Sequence, residues 1–216
     1  MTRSREWVER VLTGVMLVCA IVVTYKLVVG DSPPPPADVA VEDWTSVVDD
    51  GRRFGPVEAR ATLVVFTDLE CPACRQFHTA TLPAVRARHD ADLAVVYRHW
   101  PLGYHRFAYS AARAAECAAG QGRFEPFLDA VFARQDSLGL KPLSAFALEA
   151  GVTDLPAFEA CTAAPDSLPR ITKDVETITG IGGRGTPAVM LNGILLGRVP
   201  DANDLTRRID RVLRRN

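Results

Sequence analysis

The stretch DLECPACRQFH, residues 68–78, contains two cysteines separated only by Pro72 and Ala73. It follows ATLVVFTD, residues 61–68, a compact apolar run rich in β-branched residues that predicts a buried strand. Pro72 stands where a first-turn helical proline is favoured, so a helix is predicted to begin directly after Cys71. A C-x-x-C pair in this setting fits three roles: part of a zinc site, a structural disulfide, or a working redox pair.

The three roles of the cysteine pair make different demands on the rest of the chain. A zinc site needs about four ligands, and the chain has no second C-x-x-C and no H-x-x-x-H. A structural Cys71–Cys74 disulfide would close a very short loop and therefore gain little chain entropy. The redox interpretation explains more, because a helix N-terminus stabilises the thiolate, which is the reactive form. We expect Cys71 to be an exposed nucleophile and Cys74 to be its more buried resolving partner.

Composition sets the scale of the protein and narrows its class. The chain has 216 residues, of which 48% are hydrophobic, enough for one domain with a substantial core and an appendage. Its formal net charge is −1, so no basic field points to nucleic acid. Five cysteines are too few for a small disulfide scaffold. Their positions therefore carry more information than their number.

The N-terminal segment has the pattern of a membrane signal. Residues 1–10 contain three arginines, and residues 11–30 read VLTGVMLVCAIVVTYKLVVG. A spanning helix needs about 20 apolar residues, and Lys26 near the end can snorkel to the headgroups. A cleaved signal peptide, with an apolar region of roughly 7–15 residues, is the alternative. We predict a single-pass signal-anchor at 11–30 in the inner (cytoplasmic) membrane, with residues 1–10 cytoplasmic and the rest extracytoplasmic.

A proline-rich segment separates this anchor from the folded part. Residues 31–40, DSPPPPADVA, favour a stiff polyproline II linker. The folded domain is then expected to occupy residues 41–216. Tethering to the membrane would come from the anchor alone.

The order of elements along the domain predicts an α/β fold. Beyond residues 61–68, strands are predicted at 41–48 and 93–100, and a hairpin turning at Asn192-Gly193 is predicted near the C-terminus. A long alanine- and phenylalanine-rich stretch without strand signals fills about 103–166. The sequence therefore predicts an α/β core with a helical insertion, closed by a C-terminal helix.

Three segments follow one another along the chain: TDLECPACRQFH, AARAAECAAGQGRFEPFLDAVFARQ and GRGTPAVMLNG. In this order they resemble the DsbA-like thiol:disulfide oxidoreductases, which have a thioredoxin fold with a helical insertion. The resemblance covers about residues 50–214. It implies dithiol/disulfide exchange at Cys71 and Cys74, with no cofactor and no metal. It also implies that Pro187 is a cis proline packed against the disulfide, so that the backbone of Thr186 can pair with an extended substrate.

The remaining two cysteines of the domain, Cys117 and Cys161, fall in separate predicted helices of the insertion. An even pair outside the cytoplasm is a natural second disulfide, and some DsbA-like relatives resemble this arrangement. The alternative is two buried free thiols. We expect a structural disulfide between them.

Two residues flanking the cysteine pair depart from the best-known DsbA pattern. Ala73 stands where that pattern has histidine, and Glu70 adds a negative charge beside Cys71. Both features favour a milder oxidant. The resemblance implies oxidation of exported proteins with cysteine thiols, followed by reoxidation by a membrane partner of the DsbB or VKOR type. A reductase or isomerase of the same fold is the alternative, and a non-catalytic binding or chaperone module is a more distant one.

Overall fold

The computed structural model describes residues 2–29, 36–164 and 168–215. These residues form two compact units, Met1–Pro36 and Ala37–Asn216. Half of the proline-rich linker predicted at 31–40, residues 31–35, lies outside the described residues. The larger unit contains both of the predicted functional cysteines.

The smaller unit is built on one helix, α1, at Thr2–Val29. Within it, Arg5–Lys26 is a candidate membrane span of 22 residues with a mean hydropathy of 1.8. A helix of this length is about 33 Å long, which matches the hydrocarbon core of a bilayer. The helix begins within the basic segment, so the predicted cytoplasmic residues 1–10 and anchor 11–30 are largely one continuous element.

The larger unit contains a six-stranded sheet in the order β1-β6-β5-β3-β4-β2. The strands are β1 (Val39–Ala40), β2 (Arg52–Phe54), β3 (Ala61–Thr67), β4 (Leu93–His99), β5 (Ala188–Leu191) and β6 (Ile194–Leu195). The central pair, β3 and β4, is parallel, and every other pair is antiparallel. Both central strands are buried along their whole length, which explains why their sequences are continuous apolar runs.

Nine further helices surround this sheet in the described part of the chain. They are α2 (Trp44–Asp49), α3 (Pro72–Gln76), α4 (Leu82–His89), α5 (Ala108–Ala119), α6 (Phe124–Ala133), α7 (Leu143–Glu149), α8 (Leu155–Ala163), α9 (Pro169–Gly180) and α10 (Ala202–Arg215). A π-helical turn at Phe77–Thr81 joins α3 to α4, and a 3₁₀ turn at Gln135–Ser137 follows α6.

The two faces of the sheet are covered by different helices. Alternate residues of β3 point to opposite faces, so Leu63 and Val65 join one core cluster while Val64 and Phe66 join the other. The first cluster includes α3, α4, α10 and the helices α5–α8 of the insertion. The second includes residues of α2 and α9. This confirms the α/β fold with a helical insertion between β4 and the C-terminal hairpin.

The strand predicted at 41–48 is wrong, because this segment forms helix α2. Trp44, Val47 and Val48 are three and four residues apart, so a helix places them together against the sheet. Asp43 precedes the helix, and its carbonyl accepts a hydrogen bond from the Ser46 hydroxyl at 2.8 Å. The run of valines had suggested a strand on propensity alone.

The domain also begins earlier than residue 41. Val39 pairs with Leu195 and Ala40 with Ile194, so the last residues of the predicted linker form an edge strand. Asp38 is tied to the same edge, because its carboxylate accepts a hydrogen bond from the backbone N–H of Gly197 at 2.9 Å. These contacts explain why the compact unit starts at Ala37.

Candidate active site

The two cysteines of the C-x-x-C pair lie where β3 passes into α3. Cys71 is the N-cap residue of α3, with extended backbone angles, and Pro72 occupies the first helical turn. Both thiols are free in this structure. The residue exposure is 8% for Cys71 and 1% for Cys74. Cys71 is the more accessible of the two, as expected, but it is not exposed. It is mostly buried because the loop at Thr186 covers it.

The loop at Thr186 lies against Cys71 from the other end of the chain. The peptide bond between Thr186 and Pro187 is cis. The Cys71 thiol donates a hydrogen bond to the Thr186 carbonyl, with the sulfur 3.4 Å from the oxygen. The antiparallel pairing of β5 with β3 explains this meeting, since it brings the start of β5 beside the end of β3. The structure therefore assembles four of the predicted site residues, Cys71, Cys74, Thr186 and Pro187, around one sulfur atom.

The surroundings of Cys71 favour its thiolate. Hydrogen bonding from the Cys74 side chain lowers the pKa of Cys71 to about 5, against the opposing effect of burial. The Thr186 side chain and the backbone N–H groups of Cys74 and Ala73 lower the pKa further. The Thr186 hydroxyl has no hydrogen-bond partner among the described residues while Cys71 is a thiol. That hydroxyl is free to donate to the sulfur once Cys71 is ionised.

Cys74 has the opposite electrostatic character. Burial raises the pKa of Cys74 well above its usual value, and the neighbouring Cys71 raises it further. Its sulfur accepts a hydrogen bond from the Asp68 backbone N–H at 3.4 Å. The pair can therefore hold one negative charge on Cys71 and one proton on Cys74.

The flanking residues predicted from the motif have distinct positions. Pro72 and Ala73 are exposed, and Ala73 acts on Cys71 through its backbone N–H, not through its side chain. The carboxylate of Glu70 accepts a hydrogen bond from the Phe107 backbone N–H. Glu70 therefore holds the active-site loop against the segment that leads into α5, a role the sequence did not suggest.

Two buried residues in this region were missed from the sequence. The carboxylate of Asp68 accepts hydrogen bonds from the backbone N–H groups of Glu70 (2.8 Å) and Leu102 (2.7 Å). It also pairs with Nδ1 of His105 at 2.8 Å. Gln135, from the insertion, bonds to the backbone on both sides of Glu70. The one sequence signal for Asp68 is its position as a polar residue directly after the buried strand β3. No local sequence pattern identifies Gln135.

Cys117 and Cys161 form a disulfide that joins α5 to α8 within the insertion. The bond spans 44 positions of sequence, and the Cα atoms are 5.8 Å apart. Neither residue is among the contacts of Cys71 or Cys74 given above. The described residues contain no cluster of three or more His, Cys, Asp or Glu side chains placed to hold a metal ion.

Comparisons with known proteins agree with this architecture. A family described as Thioredoxin matches residues 48–211. A thioredoxin-like oxidoreductase from Silicibacter pomeroyi superposes with a TM-score of 0.66 at 26% identity, covering 81% of this chain and 99% of that one. Oxidised BdbD from Bacillus subtilis superposes with a TM-score of 0.71 at 16% identity, covering 83% of this chain and all of that one.

Sequence relatives include much longer proteins. The chain is 37% identical over 152 residues to a protein named Na(+)/H(+) antiporter NhaA from Herminiimonas arsenicoxydans, a match covering 70% of this chain and 24% of that protein. The chain thus spans about a quarter of the length of the curated relatives it matches. The matched family covers most of the domain, and that domain has a cis proline beside a C-x-x-C pair and a helical insertion in its α/β core. The chain therefore belongs to the thioredoxin family.

Proposed function

We propose that this protein is a membrane-tethered, extracytoplasmic thiol:disulfide oxidoreductase that introduces disulfides into exported proteins. The observation that carries the proposal is the placement of Cys71 at the N-terminus of α3, against the cis Thr186-Pro187 bond, with a pKa lowered to about 5. A dithiol whose thiolate is strongly stabilised favours its reduced form, and such a pair is an oxidant. Family membership supports the exchange chemistry, and the thiolate supports its direction.

The proposed reaction begins with the oxidised Cys71–Cys74 pair. A substrate thiolate attacks Sγ of Cys71, forming a mixed disulfide and breaking the Cys71–Cys74 bond. Cys74 leaves as a thiolate and takes up a proton, consistent with its raised pKa. A second thiolate of the substrate then attacks the substrate sulfur of the mixed disulfide, and Cys71 leaves as a stable thiolate. The substrate loses two electrons to the cysteine pair and becomes a disulfide.

The location and partners are part of the same proposal. The candidate span at Arg5–Lys26 supports a single-pass signal-anchor in the inner membrane, with the catalytic domain extracytoplasmic. There the reduced cysteine pair must pass the two electrons from the substrate on to an oxidant. We assign this step to a membrane partner of the DsbB or VKOR type. The transport activity named for the antiporter relatives is not part of the proposal, because the match spans about a quarter of those proteins.

The test uses the oxidised full chain in detergent and a reduced, unfolded substrate protein with two cysteines. We expect loss of substrate thiols matched by gain of thiols at Cys71 and Cys74. Cys71→Ser and Cys74→Ser each abolish the exchange, because neither variant can form the Cys71–Cys74 disulfide that accepts the two electrons of the substrate. Cys19→Ser is the matched control, because Cys19 is a free thiol within α1, and it leaves the exchange unchanged.

Other outcomes of this experiment identify the alternatives. If the wild-type chain reduces or reshuffles existing disulfides and does not oxidise thiols, it is a reductase or isomerase. If it binds the unfolded protein equally well with Cys71→Ser and never forms a mixed disulfide, it is a binding module. Either result would contradict the oxidase proposal.

A further inference from the structure

Gln135 is a buried amide of the insertion that reaches the active-site backbone. It begins the 3₁₀ turn after α6 and is 7% exposed. Its side-chain nitrogen donates hydrogen bonds to the carbonyl oxygens of Leu69 (2.9 Å) and Cys71 (3.0 Å). The contact joins residues 64 and 66 positions apart in sequence. One side chain therefore fixes the chain on both sides of Glu70.

The two carbonyl groups control the geometry of the nucleophile. The carbonyl of Cys71 also accepts the Arg75 backbone N–H at 3.1 Å, so the peptide plane after Cys71 is held by two donors. The peptide plane after Leu69 is held by Gln135 on its oxygen and by the Asp68 carboxylate on the Glu70 N–H. These two planes set the backbone orientation from which the Cys71 side chain projects. That orientation directs the sulfur to the backbone N–H groups at the start of α3.

The neighbouring residue strengthens the same connection. Asp136 forms an ion pair with Arg75 of α3 at 3.1 Å, so adjacent positions of one turn bind the active-site helix. Asp136 is 89% exposed, so this pair contributes little stability by itself. The hydrogen bonds of Gln135, in contrast, are buried and shielded from water.

We propose that Gln135 is a positioning residue through which the helical insertion holds Cys71 in its thiolate-stabilising geometry. Its two N–H groups also bring partial positive charge next to the carbonyl oxygens of Leu69 and Cys71. Loss of the donors would remove one of the two hydrogen bonds that hold each peptide plane and leave two buried carbonyls with less hydrogen bonding. The inference rests on the proposed chemistry of Cys71, but it predicts a property of the thiolate that does not depend on substrate or direction of electron flow.

The test compares two glutamine substitutions in the reduced full chain in detergent. Gln135→Met keeps the length of the side chain and removes both donors. Gln121→Met is the matched control, because Gln121 also bonds the backbone twice, donating to the Asp154 carbonyl (2.9 Å) and accepting from the Asp154 N–H (3.0 Å) within the insertion. The measurement is the rate of iodoacetamide alkylation at Cys71 against pH, resolved by peptide mass spectrometry. Circular dichroism verifies that each variant is folded.

The expected result separates positioning from simple structural support. In Gln135→Met the midpoint of Cys71 alkylation moves up by about half a pH unit or more, which is about a threefold or larger rise in proton affinity. In Gln121→Met the midpoint is unchanged, even where the variant loses stability. If Gln135→Met fails to fold, Gln135→Asn replaces it, since its amide is one methylene too short to reach both carbonyls. A folded Gln135 variant with the wild-type midpoint would overturn the inference.

The alkylation midpoint and the disulfide-exchange assay described above together distinguish this inference from the proposed function. A shifted midpoint in a protein that exchanges no disulfides would support the positioning role and reject the oxidase. An unchanged midpoint in an active oxidase would do the reverse.

Discussion

At Cys71, hydrogen bonding from Cys74 and Thr186 and the first backbone N–H groups of α3 act on one sulfur atom. The sequence correctly predicted that Cys71 directly precedes helix α3, because a strand followed by C-P-x-C is a strong local pattern. It did not predict the extent of burial, which arises from a loop 115 residues away. Although Ala73 has no polar side chain, its backbone N–H is one of the groups that lower the pKa of Cys71.

The low pKa of Cys71 predicts how the stability of the reduced protein depends on pH. The folded-state pKa of about 5 is depressed below the value of about 8.5 for an unfolded thiol. The stabilisation is therefore fully present above pH 8.5 and is lost as pH falls through 5. Urea unfolding of the reduced chain should show its free energy of unfolding, relative to Cys71→Ser, rising between these values. A difference that stays flat across this range would contradict the low pKa.

The buried carboxylate of Asp68 leads to a second prediction, on the stability of the fold. This carboxylate is 1% exposed and accepts two backbone N–H groups and His105, so Asp68→Asn leaves buried donors without an acceptor. We expect a loss of about 3 kcal/mol in the free energy of unfolding, measured in urea. Asp129→Asn is the control, because Asp129 also pairs with a histidine, His78, but is 64% exposed. The control should lose less than about 1 kcal/mol; equal losses would show that Asp68 is not a buried anchor.

Among the elements, the helices of the insertion are linked by the Cys117–Cys161 disulfide between α5 and α8. In the chain-entropy model, closing a loop of 44 positions stabilises the folded state by roughly 4 kcal/mol. Replacing both cysteines by alanine should lower the urea midpoint correspondingly, while the thiol count at Cys71 and Cys74 stays at two after reduction. A loss below about 1 kcal/mol would mean that the insertion is held mainly by its apolar core.

Several elements could be predicted because their signals are local. The hairpin turn is an example: Asn192 and Gly193 both have positive φ, 43° and 82°, as this pair of residue types suggests. Helix α2 could not be predicted, because three valines and a tryptophan in eight residues fit a strand as well as a helix face. The short strands β1 and β2 depend on pairing with β6 and β4, so their own sequences contain little signal.

For the whole molecule, the candidate span in α1 is expected to hold the protein in the membrane. The full chain should remain in the membrane fraction after carbonate extraction. Replacing Leu17 and Val18 by aspartate puts two charges near the centre of the span, at about 3 kcal/mol each, and should release the protein or block its insertion. Leu140→Asp is the control, because Leu140 is an apolar residue of the larger unit that is 83% exposed. Unchanged membrane retention of the double variant would contradict the anchor.

The central claim concerns the direction in which electrons flow through Cys71 and Cys74. The most direct test is to equilibrate the full chain in detergent with glutathione buffers of graded potential, trap thiols by alkylation, and resolve this pair from Cys117–Cys161 by peptide mass. The stabilised thiolate predicts a midpoint of about −120 to −150 mV, at the DsbA end of the known scale. A midpoint of about −250 mV or below, close to thioredoxin, would contradict the oxidase and indicate a reductase supplied with electrons.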